Sequence, residues 1–239
     1  MKKGTKRAKK ILIIIGALIV IVLGAFYIYT LDYYRADADV AEKYSADEYM
    51  LEGSKDTYVF YPSEENDQNI GLIFYPGGKV EALAYAPLLE QISQHGITCV
   101  MPKMPFNLAV FDIKAADKIY DKFPEITKWY LAGHSLGGAM ASSYVEENYA
   151  KLDGLILLGA YPINDADIPT IAIYGSEDVN LDLEKLAGTT NKHKIIGGNH
   201  AYFGNYGEQK GDGTASISRQ SQQEQAVELI TDFIFDICS

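Results

Sequence analysis

Hydrophobic and polar positions follow three different patterns along the chain. Residues 11–31, ILIIIGALIVIVLGAFYIYTL, are apolar and uncharged throughout. A stretch with no polar face does not suit a half-buried helix of a soluble domain. At 1.5 Å per residue, twenty-one helical residues cover the roughly 30 Å hydrocarbon layer of a bilayer. Residues 32–56 are polar and acidic, with Val40, Ala41 and Tyr44 at helical spacing. They read as a tether that turns helical and packs on the domain. From residue 57 onward, short apolar runs alternate with amphipathic ones. Thr57–Tyr61, Ile70–Tyr75, Ile97–Met101, Trp129–Ala132, Gly154–Gly159, Thr170–Tyr174 and Lys194–Ile196 are predicted strands. Ala84–His95 is a predicted helix with Pro87 in its first turn and Gly96 as its stop. Further helices are predicted over Val110–Phe123, from the residues after 135 to about Tyr149, over Leu181–Ala187 and over Ser218–Ile237. Ile-, Leu- and Val-rich strands alternating with helices imply an α/β domain. Its sheet is mainly parallel and covered on both faces.

Charge sharpens the reading of the first segment. Residues 1–10 hold six of the 21 basic residues and no acid, which leaves 15 basic against 32 acidic residues, a net −17, for residues 11–239. A basic tail, an apolar span and an acidic body imply a cytoplasmic N-terminus and an extracytoplasmic body at the cell membrane. Phe26, Tyr27, Tyr29, Tyr33 and Tyr34 read as the aromatic belt at the far interface. A cleaved secretory signal is the rival reading. It wants a shorter apolar core, and Ala36-Asp37-Ala38 is a poor cleavage site. The expected organisation is a basic tail (1–10), a transmembrane signal anchor (11–31), a tether (32–56) and one domain (57–239). So acidic a body excludes nucleic acid as a partner. The two cysteines, Cys99 in an apolar run and Cys238 near the end, stand in no metal-ligand spacing. Neither a metal nor a cofactor is expected.

Chemistry centres on Lys128–Ala141, KWYLAGHSLGGAMA. Here Gly133-His134-Ser135-Leu136-Gly137 fits G-x-S-x-G between an apolar strand and a helix of small residues. That is the context of a nucleophile elbow. A hydroxyl attacks a carbonyl only if it stands clear of the sheet and meets a base. The tight turn that exposes it crowds the positions two residues either side, which are both glycine. Functional side chains of parallel α/β sheets gather at the carboxyl ends of strands. Past Thr170–Tyr174 comes Gly175-Ser176-Glu177-Asp178, and past Lys194–Ile196 comes Gly197-Gly198-Asn199-His200. The order serine, acid, histidine assigns Ser135 as nucleophile, His200 as base and Asp178 as the acid that orients it. Glu177 and Asp182 compete with Asp178, whose plainer reading is a helix cap. Among the other histidines, His95 ends a helix, His134 points away from the serine inside the elbow, and His193 precedes its strand. An acyl-transfer site also needs backbone donors for the oxyanion. Leu136 is expected to give one. The loop Pro76-Gly77-Gly78-Lys79 should give the other, with Gly77 ahead of Gly78. About ten residues, 160–169, separate two of the strands, which leaves no room for a lid and implies an open site. The long loop Ala201–Ile217 and the turn Met104-Pro105-Phe106-Asn107 are candidate walls.

Several stretches together resemble the α/β-hydrolase fold-5 family, relatives of dienelactone hydrolases. They are GLIFYPGGKV (71–80), AYAPL (84–88), MPFNLA (104–109), GHSLGGAMA (133–141), DGLILL (153–158), YGSED (174–178) and GGNHAYFGNYG (197–207). The resemblance spans roughly residues 35–239 and implies the α/β-hydrolase fold with the same three side chains, Ser135, Asp178 and His200. Dienelactone hydrolases carry a cysteine nucleophile. Serine here favours a general ester or thioester hydrolase acting on a small-molecule ester. An acyltransferase acting on a cell-surface acceptor, or a non-catalytic binding protein of the same fold, are the alternatives.

Overall fold

The computed structural model describes residues 2–238. The chain divides into two compact units, residues 1–33 and residues 34–239. In the first, one helix, α1 (Lys2–Leu31), carries the apolar run, and Lys9–Leu31 is long and apolar enough to cross a membrane. Its aliphatic side chains, among them Leu12, Val20 and Ile28, are exposed, so this is not the buried core helix of a soluble domain.

The second unit is a seven-stranded sheet: β1 (Thr57–Phe60), β2 (Ile70–Tyr75), β3 (Ile97–Pro102), β4 (Lys128–His134), β5 (Gly154–Leu158), β6 (Thr170–Gly175) and β7 (Lys192–Ile195). The order is β1-β3-β2-β4-β5-β6-β7, parallel throughout except for β1, which runs antiparallel to β3 at one edge. Strands β2 and β3 are buried at every position, as a sheet covered on both faces requires. Two cores result. One holds Leu72, Phe74, Leu88, Leu89, Tyr130, Ile156 and Ile230 under helices α3 (Ala86–Ser93) and α6 (Arg219–Cys238). The other holds Ile73, Tyr75, Leu131, Tyr144, Val145 and Leu157 under α4 (Leu136–Asn148). Two short helices complete the unit, α2 (Ala38–Tyr44), which buries Val40 and Tyr44, and α5 (Leu183–Leu186).

Two expectations change. No α-helix covers residues 110–123; three 3-10 turns stand there, at Ala109–Phe111, Ala115–Lys118 and Tyr120–Lys122. The cause is a side chain from another element. The Tyr75 hydroxyl donates to the Ile113 carbonyl (2.8 Å) and accepts from the Ala116 N–H (2.9 Å). A helix would need those backbone groups for its own ladder. Tyr34, expected in the aromatic belt after the apolar run, is also built into the domain. It belongs to the second unit, bridges Val80, and rests its ring 5.5 Å from that of Tyr206. Residues 159–169 contain neither helix nor strand, so no lid interrupts the sheet between β5 and β6.

Candidate active site

The elbow is built from close approaches. Ser135 has φ 52 and ψ −120, a left-handed conformation that a non-glycine residue adopts only under strain. Its N–H is held by the Leu158 carbonyl at 2.9 Å. A Cβ on Gly137 would sit 2.1 Å from the Tyr75 carbonyl oxygen, and one on Gly133 would sit 2.5 Å from Gly137. The two glycines are therefore steric necessities of the turn. Helix α4 begins at Leu136, so its unpaired first N–H groups lie beside Ser135.

The acid and the base meet. Asp178 Oδ2 accepts from His200 Nδ1 at 2.8 Å, and both side chains are nearly inaccessible. Asp178 Oδ1 accepts from the N–H groups of Asn180 (3.0 Å) and Leu181 (3.1 Å), which fixes the carboxylate. With Nδ1–H donating to a carboxylate, the lone pair of the neutral ring lies on Nε2, as a base requires. The competitors are engaged elsewhere. Glu177 bonds the Ser176 hydroxyl, and Asp182 caps α5. His95 is exposed, and His193, inside β7 and not before it, bonds Asn191.

Residues next to Ser135 reach this pair. A Cβ on Gly159, the residue after the Leu158 that holds the Ser135 N–H, would lie 2.9 Å from His200 Nδ1. The ring of His134, next to Ser135 in the chain, has its centroid 4.6 Å from that of His200. Among the described residues no hydrogen bond joins the Ser135 hydroxyl to the imidazole. Such bonds are often long before substrate arrives.

The oxyanion loop departs from expectation at one residue. The Gly77 N–H is turned inward and donates to the Tyr85 hydroxyl at 3.2 Å, in a buried site. That amide is engaged within the fold, and Gly78 is the alternative donor of the same loop. A Cβ there would lie 2.7 Å from the Leu136 side chain, so its backbone approaches the residue following Ser135.

The Tyr85 hydroxyl belongs to a longer network. It lies 2.8 Å from His134 Nδ1, while His134 Nε2 lies 3.1 Å from the His200 carbonyl. A carbonyl only accepts, so Nε2 carries the proton and donates, and the tyrosine hydroxyl donates to Nδ1. The chain of bonds runs Gly77 N–H to Tyr85, Tyr85 to His134, and His134 to His200. It joins the loop after β2, the turn at Ser135 and the loop that carries His200 through one neutral imidazole. Burial holds the His134 pKa well below the ordinary histidine range, with the nearby His200 adding to the effect. Burial likewise pushes the Tyr85 hydroxyl up, so it stays protonated as a donor.

Positioning of His200 depends on residues that no motif flags. Gln222 of α6, fully buried, accepts from the Asn199 N–H (2.9 Å) and donates to the Asn199 carbonyl (2.8 Å). Asp212 accepts from the N–H groups of His200 (3.3 Å), Ala201 (2.8 Å) and Gly213 (2.8 Å). The long loop after His200 thus doubles back and clamps the residue it follows. No group of histidine, cysteine and acidic side chains that could hold a metal ion occurs among the described residues.

Comparison with known proteins fits this geometry. A family model described as "Alpha/beta hydrolase family" matches residues 71–224, more than half of the chain. No curated protein matches the chain significantly. Similar solved structures include Est1E from Butyrivibrio proteoclasticus with ferulic acid bound, at 14% identity and TM-score 0.58, over 75% of this chain and 95% of that one. A dienelactone hydrolase from Anabaena variabilis is similar at 14% identity and TM-score 0.57, over 75% and 90%. XC6422 from Xanthomonas campestris, described as a member of a/b serine hydrolase without lid, is similar at 12% identity and TM-score 0.52, over 75% and 88%. Identities this low speak for the fold, and the family match speaks for more: the chain belongs to the alpha/beta hydrolase family and is a hydrolase.

Proposed function

We propose that the protein is a membrane-anchored serine hydrolase that cleaves a carboxylic ester or thioester through an acyl-enzyme, with Ser135, His200 and Asp178 as its triad. The observation that carries this reading is the strained Ser135 at the head of α4, whose neighbour His134 lies against the His200 ring of a buried His200–Asp178 pair. His200 Nε2 takes the Ser135 proton as Oγ attacks the carbonyl carbon, and the imidazolium formed is stabilised by Asp178. The N–H groups of Leu136 and Gly78 receive the developing oxyanion. Collapse of the tetrahedral intermediate breaks the ester bond, and His200 returns the proton to the leaving alcohol or thiol. Water, activated by the same ring, then hydrolyses the acyl-enzyme. The lidless site agrees with the description of the Xanthomonas relative as a serine hydrolase without lid.

The basic residues at the start of α1 keep the N-terminus in the cytoplasm, so the domain lies outside the cell membrane. Protease added to intact cells should digest the domain. Survival of an intact domain would reverse the topology.

The decisive experiment is Ser135→Ala. Labelling by a fluorophosphonate should vanish, and turnover of a p-nitrophenyl acyl ester should fall by roughly 10⁴- to 10⁶-fold. Undiminished labelling or turnover refutes the assignment.

A further inference from the structure

The chain enters its domain across the mouth of the site. The Tyr34 N–H donates to the Lys79 carbonyl (2.8 Å), and its carbonyl accepts from the Glu81 N–H (2.9 Å). The Ala36 N–H donates to a Glu81 carboxylate oxygen (3.0 Å). The Asp37 N–H donates to the Asn205 carbonyl (2.8 Å), and its carboxylate pairs with Arg219 (2.6 Å). Residues 34–37 are therefore fixed to the loop that carries Gly78 and to the loop that follows His200. Leu31, the last residue of α1, is three peptide steps from Tyr34. At no more than about 3.6 Å per residue, the two Cα atoms lie within about 11 Å of each other. That limit is covalent and holds for any orientation of the helix. If α1 spans a bilayer, Tyr34 lies within reach of the lipid headgroups, and so does the strand-end face to which it is bonded.

The same rim is apolar. The Asn107 carbonyl accepts from the Lys79 N–H at 2.7 Å, which brings the turn after β3 to the oxyanion loop. That turn exposes three large apolar side chains: Phe106 (50%), Val110 (47%) and Phe111 (51%), with the two phenyl rings edge to face at 5.8 Å. Phe106 and Asn107 hold φ values of 56 and 54, a left-handed conformation unfavourable for a bulky side chain. Exposed aromatic and aliphatic side chains beside a covalent membrane tether are the composition of an interfacial surface.

Building on the reading of an anchored hydrolase, we infer that the catalytic face sits on the membrane that α1 spans, with Phe106, Val110 and Phe111 in the interface. Its substrate is then an acyl ester carried in that bilayer and presented at headgroup depth, not a freely dissolved one. The absence of a lid suits this arrangement, because an ester can enter the open site directly from the lipid surface.

Two measurements test the inference on the full chain in phosphatidylcholine vesicles. In a Cys238→Ser background, where Cys99 is buried, an environment-sensitive NBD dye is placed at Val110→Cys, Phe111→Cys or Tyr149→Cys. Tyr149 is exposed and precedes β5, at the amino-terminal ends of the parallel strands, opposite the ends that lead to Ser135 and Lys79. Emission from positions 110 and 111 should shift to the blue and be quenched by doxyl-labelled lipid, whereas position 149 should stay solvent-like. Solvent-like emission at all three positions overturns the seating, and this readout needs no turnover. The second measurement inserts a flexible Gly/Ser spacer of about twenty residues between Asp32 and Tyr33. Hydrolysis of a long-chain p-nitrophenyl ester dissolved in the vesicles, relative to soluble p-nitrophenyl acetate, should fall at least about fivefold as the tether loosens. An unchanged ratio overturns the bilayer substrate. If neither ester is hydrolysed and fluorophosphonate fails to label, the hydrolase reading has failed and the substrate falls with it, while the dye still decides the seating.

Discussion

The proposed nucleophile and the proposed base are held in opposite ways. Ser135 stands on a turn constrained by steric crowding, with glycines that let it close against its own helix and against the Tyr75 and Pro76 carbonyls, and a helix that starts at once. His200 stands on a loop held by remote groups: Asp178 from the end of β6, Gln222 from α6, Asp212 from the returning loop, and His134 from the elbow. The difference teaches where each half is vulnerable. The elbow fails through sterics. The base fails through loss of hydrogen bonds made far from it in sequence.

The comparison breaks most sharply at Asp178. Asp178→Asn preserves shape but puts an amide where a carboxylate accepts the His200 proton, so kcat should fall by about 10⁴-fold. Steady-state kinetics on a p-nitrophenyl ester checks it, and a change of less than tenfold removes Asp178 from the triad. Gln222→Leu touches neither candidate catalytic side chain but frees the two backbone groups of Asn199. We expect kcat to fall by about 10- to 100-fold through misplacement of His200, with KM little changed and fluorophosphonate labelling slowed in parallel. Retained kcat with a lowered melting temperature would make Gln222 structural only. The smallest effect concerns the network between the two halves. His134 is buried neutral with a depressed pKa, so the unfolded chain takes up a proton below about pH 6.5 that the folded chain refuses. Above that pH the group costs nothing. As pH falls past it, stability should drop by up to about 1.4 kcal/mol per pH unit until the native ring itself protonates. Urea unfolding between pH 7 and pH 5 measures this slope, and His134→Gln should reduce it by one proton's worth.

Legibility in the sequence follows the same division. The elbow could be read because its glycines, its serine and the helix that follows stand together in the sequence, although part of what crowds Gly137 comes from Tyr75 and Pro76 on β2 and the loop after it. Asp178 and His200 could be located at strand ends because strand and helix alternate, and parallel strands deliver their following loops to one edge. The choice between Gly77 and Gly78 could not be read, because it is made by the hydroxyl of Tyr85, which only the folded chain brings to the Gly77 N–H. The expected helix over 110–123 failed for the same reason, with Tyr75 supplying the competing hydroxyl. His134 looked like a bystander inside the motif. Its role as a link appears only when Tyr85 and the His200 carbonyl flank its ring.

By itself, the sequence determined an apolar span of membrane length, an α/β body, and a serine on a turn that only small neighbours permit. Each is written in contiguous stretches, where periodicity and residue size act between positions a few residues apart. Tertiary structure alone decided that Tyr85 holds the Gly77 amide, what holds the imidazole, and that residues 34–37 are bonded to the loops after β2 and after His200. Those are set by hydrogen bonds between segments far apart in sequence, as Arg219 and Asp37 are, and such bonds leave no local trace in the order of residues.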